Sequence, residues 1–234
     1  VITAATKPGS TWKEIGIWFG APIMVSSGLL SFAFQWRTIV RAFAGMGRGQ
    51  KDADPLVTET EPPMSWFFVG TGLAGTAIVL LAWRYFEVPP HYGALAVVLT
   101  FILGLVACRA TGETDITPGG AMGKIMQLTY GVLIPQSTTA NLMTAGITSG
   151  SSLASADLLN DLKSGYLLGA NPRRQFLAQA MGVLTGTIAS CIGYFLLVPN
   201  ATALTGIDGA DPKFPAPSAQ QWKAVAQVFK LGIQ

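Results

Sequence analysis

Apolar residues gather along the chain in long uncharged runs separated by polar stretches of unequal kind. Residues 15–34 form a run of 20 positions without a charge. At about 1.5 Å of rise per residue such a run spans about 30 Å, the thickness of a bilayer's hydrocarbon core. The pattern returns at 64–83, in a shorter form at 92–108, and at 175–198, where 24 residues pass without a charge. Four membrane-spanning helices are predicted. Trp12, Trp18, Trp36, Trp66, Trp83 and Tyr85 stand at or near the ends of these runs, where an amphipathic ring prefers the headgroup region.

The stretches between the runs set the topology. Arg37, Arg41, Arg48 and Lys51 follow the first run, Arg84 alone lies between the second and third, and Arg109, Arg173 and Arg174 come later. This bias places the loop 36–63, Arg109 and the Arg173-Arg174 pair on the cytoplasmic side. The polar segment 109–174 therefore starts and ends on one side, so it crosses an even number of times or enters and returns. The loop sequence "GRGQKDADPLVTETEPP" reads as a solvated connection. The tail 199–234 falls on the opposite side, with "DGADPKFPAP" as a loop. Its "SAQQWKAVAQVFK" is predicted to be a short amphipathic helix capped by Ser218, lying on the membrane surface or leading into a further span.

Composition agrees with a membrane assignment. Half of the 234 residues are apolar and 12% are charged, against about 25% charged in an ordinary soluble domain. A net charge of +3 would suggest nucleic acid in a soluble protein. Here the basic residues flank apolar runs and are explained by membrane orientation, so no nucleic-acid partner is expected. The chain opens on Val1 without the basic segment, apolar core and cleavage site of a signal peptide, and it reads as a piece of something longer. Cys108 and Cys191 both lie in apolar runs and read as small buried side chains. With His91 as the single histidine, no ligand set at zinc spacing can be assembled, and neither a metal nor a cofactor is expected.

Candidate chemistry concentrates in the middle region. In "RATGETDITPGGAMGK", residues 109–124, Thr117 before Pro118 matches an N-cap followed by proline at the first helical position. A helix start inside the membrane would turn free N–H groups and the helix dipole toward a cavity and favour an anion. Irregular backbone survives at that depth only in protein or beside water. Glu113 and Asp115 are then candidates for a proton or cation relay, and Lys124 for their partner or an anion contact. A cytoplasmic loop with capping carboxylates is the plain alternative. Further on, "STTANLMTAGITSGSSLASA" holds 15 Gly, Ala, Ser or Thr among its 20 residues, which fits close helix packing, a hydroxyl-lined pathway, or both. In "ADLLNDLKSGYLLGANPRR", Asp157 and Asp161 are four residues apart, hence on one helical face, where they repel unless Lys163 or Arg173 compensates. Asn171-Pro172 ends this helix. Ionisable residues among membrane helices mark proton relays or substrate contacts by default, although a solvated helix is the plain alternative here too.

The strings "TGETDITPGGAMGKIMQLTYGVL" and "NLMTAGITSGSSLASADLLNDLKSGYLLGANPRRQFLAQ" resemble the oligopeptide transporter (OPT) superfamily, above all its prokaryotic members and the yellow stripe-like metal-chelate carriers. The resemblance is strongest over about residues 105–198. It implies an all-α, polytopic transmembrane helical bundle with discontinuous or re-entrant helices, one membrane domain of which this chain is a later portion. It further implies a secondary carrier, proton-coupled, moving short peptides or metal bound to peptide-like chelators, multi-pass in a bacterial inner membrane. Its partners would be lipid, protons, the substrate and the remaining part of the transporter. The Asn-Pro-Gly and Lys-Ile-Pro-Pro-Arg signatures of the eukaryotic peptide-transporting branch are absent. On this reading Glu113, Asp115, Asp157 and Asp161 are the proton-coupling candidates. Lys124, Tyr130, Gln136, Asn141, Asn160 and Lys163 contact substrate or hold the carboxylates. An intramembrane aspartyl hydrolase pairing Glu113 or Asp115 with Asp157, and a passive channel or structural bundle, are the alternatives.

Overall fold

The structure, a computed structural model, describes residues 8–45, 60–205 and 213–232, with no strand among them. Arg48 and Lys51 of the first loop and part of "DGADPKFPAP" lie outside the described residues, as does the side chain of Trp12. The order is α1 (Pro8–Phe34), α2 (Trp36–Gly45), α3 (Met64–Phe86), α4 (Pro90–Thr114), α5 (Gly119–Leu133), α6 (Thr138–Leu167), α7 (Pro172–Leu197), α8 (Thr202–Thr205) and α9 (Pro217–Gly232). Among the described residues, four helices are long and apolar enough to cross a membrane: Ile15–Phe34 within α1, and α3, α4 and α7. These are the four runs expected from the sequence. Trp18, Trp36, Trp66, Trp83 and Tyr85 are all exposed.

Local chemistry explains the punctuation. After α3, Glu87 adopts a left-handed conformation (φ 55°) and Val88 N–H returns to Ala82 O at 3.2 Å, closing the helix end. Pro90 then opens α4, its missing N–H costing nothing at a first turn. Ser137 caps α6, its hydroxyl accepting from Ala140 N at 3.1 Å. Gly169 (φ 75°) makes the turn after α6. Asn171 Oδ1 then accepts from Arg174 N at 3.2 Å, so Asn171-Pro172 starts α7 rather than ending α6, which stops at Leu167.

Three further sequence expectations are corrected. α4 runs to Thr114, six residues past the expected end at 108, because Arg109 and Glu113, four apart, pair along its last turns. Thr117 does not cap α5: the helix begins at Gly119 after Pro118, without a side-chain cap, and the Thr117 hydroxyl accepts from Thr111 Oγ1 at 3.0 Å. The third concerns the tail. α9 does not lie apart on a surface but packs into the bundle: Ala224, Val225 and Ala226 are buried, the first two against Ile17, Ala21 and Val25 of α1. Ser218 falls inside this helix, which begins at Pro217.

The core lies between α4 and α5, where Ala96, Leu103, Val106 and Ala107 meet Met122, Met126 and Tyr130. Neighbours alternate in direction. A Cβ on Gly75 would lie 3.1 Å from Val97, and one on Gly93 3.3 Å from Val79, so α3 and α4 run antiparallel and close. Tyr130 OH donates to the Tyr92 carbonyl, tying the end of α5 to the start of α4. α5 and α6 are antiparallel as well, with Gly119 beside Leu153 and Gly123 beside Ala145 and Ser149. Within the stretch 109–174, α5 and α6 run out and back beside one another, so its two ends lie at the same end of the bundle. α5, with 15 residues, covers only about 22 Å.

The basic segments meet at one end. Thr38 and Arg41 of α2 hold Glu113 at the end of α4, and Arg173 at the start of α7 donates to Glu61 O, just before α3, at 3.1 Å. Arg37, Arg41, Arg109, Arg173 and Arg174 thus gather at the same end of the bundle, the grouping that the charge bias predicts.

Candidate functional site

α5 and α6 approach closely because small residues face each other. A Cβ on Gly123 would stand 3.1 Å from the Ala145 carbonyl oxygen, so the glycine lets the two backbones lie against one another. On α6 the inward stripe is Ala140, Asn141, Thr144, Ala145, Thr148, Ser152 and Ala156, all buried, a spacing of three and four that marks one helical face. Tight packing and a hydroxyl-lined seam thus occur together on one helix, the combination the small-residue run left open.

The seam is polar and almost sealed. Thr100 of α4 and Thr148 share a buried hydrogen bond of 2.8 Å. Asn141 Nδ2 donates to the Gln127 carbonyl at 2.7 Å. Gln127 Nε2 donates to the Trp222 carbonyl of α9 at 2.7 Å, and Gln127 Oε1 accepts from Lys124 Nζ at 2.9 Å. Lys124 is 1% exposed and Gln127 0%. The Lys124 stem passes Gly28 of α1, and its ammonium lies 3.3 Å from the centroid of the Trp222 ring. Among the described residues the ion pairs are Arg41–Glu113 at 3.2 Å and Arg109–Glu113 at 2.8 Å, neither of which reaches Lys124. A buried ammonium needs compensation, and here an amide oxygen and an indole face provide it. Asn141 Oδ1 and Ser152 Oγ are buried without a hydrogen-bond partner.

The expected site residues divide. Lys124 and Asn141 join the buried seam. Tyr130 is buried nearby, with its hydroxyl engaged by the Tyr92 carbonyl. Glu113 is not the partner of Lys124: Arg41 and Arg109 donate to its Oε1, and Thr38 donates to its Oε2 at 2.7 Å. Asp115 is exposed and ends α4 in a left-handed conformation (φ 58°). Gln136, Asp157, Asn160, Asp161 and Lys163 are all exposed on this chain. Asp161 Oδ2 accepts from Gln179 of α7, Lys163 sits over the Tyr166 ring, and Arg173 is engaged at Glu61. The cations proposed to offset the Asp157 and Asp161 pair are therefore directed elsewhere. Gln127, Trp222, Thr100, Thr148 and Ser152 were not among the expected site residues. Gln127 at one turn from Lys124, and Ser152 at eight and four residues from Thr144 and Thr148, carried a helical-face signal; Trp222 carried none before the tail was seen to pack inward.

A family model described as OPT oligopeptide transporter protein matches residues 9–234. A Saccharomyces cerevisiae protein named as an oligopeptide transporter, YGL114W, is 40% identical over 113 residues, 46% of this chain and 16% of that protein. Two Oryza sativa subsp. japonica proteins named as metal-nicotianamine transporters are also similar. YSL16 is 30% identical over 54% of this chain and 19% of its own length, and YSL13 is 32% identical over 80% of this chain and 26% of its own length. The chain thus spans about a quarter or less of the length of these relatives. No solved structure matches. A match over nearly the whole chain, joined to four apolar spans and a buried polar seam, leaves one assignment: the chain is an integral, multi-pass membrane bundle, all-α over the described residues, and belongs to the OPT oligopeptide transporter family.

Proposed function

We propose that the complete protein is a secondary active transporter, a proton-coupled symporter of short peptides or of metal held by a peptide-like chelator, and that α5 and α6 form part of its substrate pathway. The observation that carries this reading is the buried seam of Lys124, Gln127, Asn141, Thr148 and Ser152, which places polar groups, two of them unpartnered, inside a bundle of the transporter family. Buried polar atoms without partners are costly, and a substrate that passes between helices can satisfy them in turn. Names of relatives supply both substrate classes: oligopeptide in the yeast protein, metal-nicotianamine in the rice proteins.

Asp157 and Asp161 are the protonation sites in this proposal. They are four residues apart on the α6 surface that this chain leaves uncovered, and one hydrogen bond from Gln179 engages Asp161. Glu113, held by two guanidinium groups and a hydroxyl, suits a latch between α2 and α4. The test is uptake by the complete protein in proteoliposomes under an imposed pH gradient, comparing tri- and tetrapeptides with iron chelates. Gradient-driven accumulation of one class, lost in Asp157→Asn, is the expected result. Equal uptake after the gradient is collapsed would point to a passive channel instead.

A further inference from the structure

The geometry points to Lys124 as the contact for a carboxylate of the transported molecule, with the Trp222 ring standing in the position that the carboxylate must take. This inference rests on the transport reading above and names the group that the seam recognises.

Lys124 is 1% exposed, and among the described residues no carboxylate stands within 4.0 Å of its ammonium. A lysine whose purpose was packing would be replaceable at no cost by an apolar chain of equal length, since burying a charge is unfavourable. One whose purpose was an internal ion pair would face Glu113, and it does not. What it has is one amide oxygen and an aromatic face, partners that stabilise a cation without neutralising it. The seam therefore holds a positive charge that a carboxylate can complete. A second observation comes from α6: Asn141 Oδ1, on a residue 2% exposed, is a buried acceptor without a donor. Asn141 is joined to Gln127 through its own amide nitrogen, and Gln127 in turn holds Lys124. A cationic donor and an empty acceptor linked through one residue fit a ligand carrying a carboxylate and an N–H group. A peptide C-terminus and an amino-carboxylate chelator share that chemistry.

Trp222 supplies the exchange. Its ring rests in the notch left by Gly123, where a Cβ would lie 2.5 Å from Cη2, and its carbonyl accepts from Gln127. A carboxylate reaching Lys124 must displace the ring, so α9 competes with substrate.

The experiment is equilibrium binding to the complete purified protein in detergent with three probes: trialanine, its C-terminal amide, and Fe(II)–nicotianamine. Lys124→Met should weaken the carboxylate probe that the protein takes by at least tenfold; it strands the buried Gln127 Oε1 and should also lower the unfolding midpoint without ligand, but Lys124→Arg should keep the binding even where its midpoint falls as far, which a structural lysine would not do. Trp222→Leu should tighten the same probe severalfold. Dependence on Lys124 in the trialanine arm, absent for the amide, identifies a peptide carboxylate; dependence in the Fe(II)–nicotianamine arm identifies a chelator carboxylate. Binding unaffected by Lys124→Met in both arms overturns the inference and leaves the transport reading standing. Absence of binding by the unaltered protein to every probe overturns both.

Discussion

Trp222 of α9 lies flat over Lys124 of α5, ring centroid to Nζ 3.3 Å, and the same tryptophan's carbonyl accepts from Gln127. A helix that reads from sequence as a surface element thereby closes the polar seam. Its seat is made of glycines on α5. Gly123 receives Trp222 and Gly131 receives Phe229, where a Cβ would meet ring atoms at 2.5 Å and 2.6 Å. The eight-residue spacing of the notches matches the seven-residue spacing of the rings, about two helical turns each.

Gly123→Ala should therefore destabilise the protein by about 1–3 kcal/mol, the usual cost of overpacking a filled contact. Because the added methyl meets the indole at 2.5 Å, and Ala145 O and Ser149 Cβ only at 3.1 Å, Trp222→Ala in the same chain should remove part of that penalty, a non-additive pair by double-mutant cycle. Thermal unfolding of the four proteins in detergent measures it. Additive effects would mean that the ring does not sit in the notch.

Thr100 and Thr148 share a buried hydrogen bond between α4 and α6. Thr148→Val alone should cost about 1–3 kcal/mol by stranding the Thr100 hydroxyl, whereas Thr100→Val with Thr148→Val should be close to neutral, since both polar groups are then gone. The same unfolding measurement applies. A double variant less stable than either single one would contradict the pairing.

The two acidic residues at the end of α4 should behave differently from those on α6. Asp115 holds a left-handed backbone (φ 58°), so Asp115→Gly should be neutral or stabilise by up to about 1 kcal/mol, and Asp115→Val should destabilise. Gradient-driven uptake should survive Asp115→Gly. Glu113→Gln should loosen α2 from α4 by weakening the contacts of Arg41 and Arg109, lowering the unfolding midpoint slightly at low salt and less at high salt, because exposed pairs are screened. Uptake abolished by Asp115→Gly would return the relay to α4.

The parts of this fold that were legible in the sequence depend on one dimension alone. The four spans follow from uncharged length, and the shared end of Arg41, Arg109 and Arg173 follows from charge counting. Lys124 and Asn141 could be singled out as polar residues within a weakly charged stretch. What was not legible depends on partners distant in sequence. Arg109 and Glu113 look like loop residues until Thr38 and Arg41, more than 70 positions earlier, are seen to hold the carboxylate. Nothing near Lys124 in the chain indicates Trp222, 98 positions on, and the amphipathic pattern of α9 fits a lipid surface as well as a glycine-notched helix.

The central claim is that the α6 stripe facing Lys124 is buried in packed helices and opens only as part of transport. The most direct measurement is the reaction rate of single cysteines with a membrane-impermeant thiol reagent in the complete protein, with Cys108 and Cys191 replaced. At 141, 144, 148 and 152 the reaction should be slow at rest and change when substrate is added, while Leu168, 87% exposed in the turn after α6, should give a fast control. Rapid reaction at all five positions, indifferent to substrate, would contradict the account.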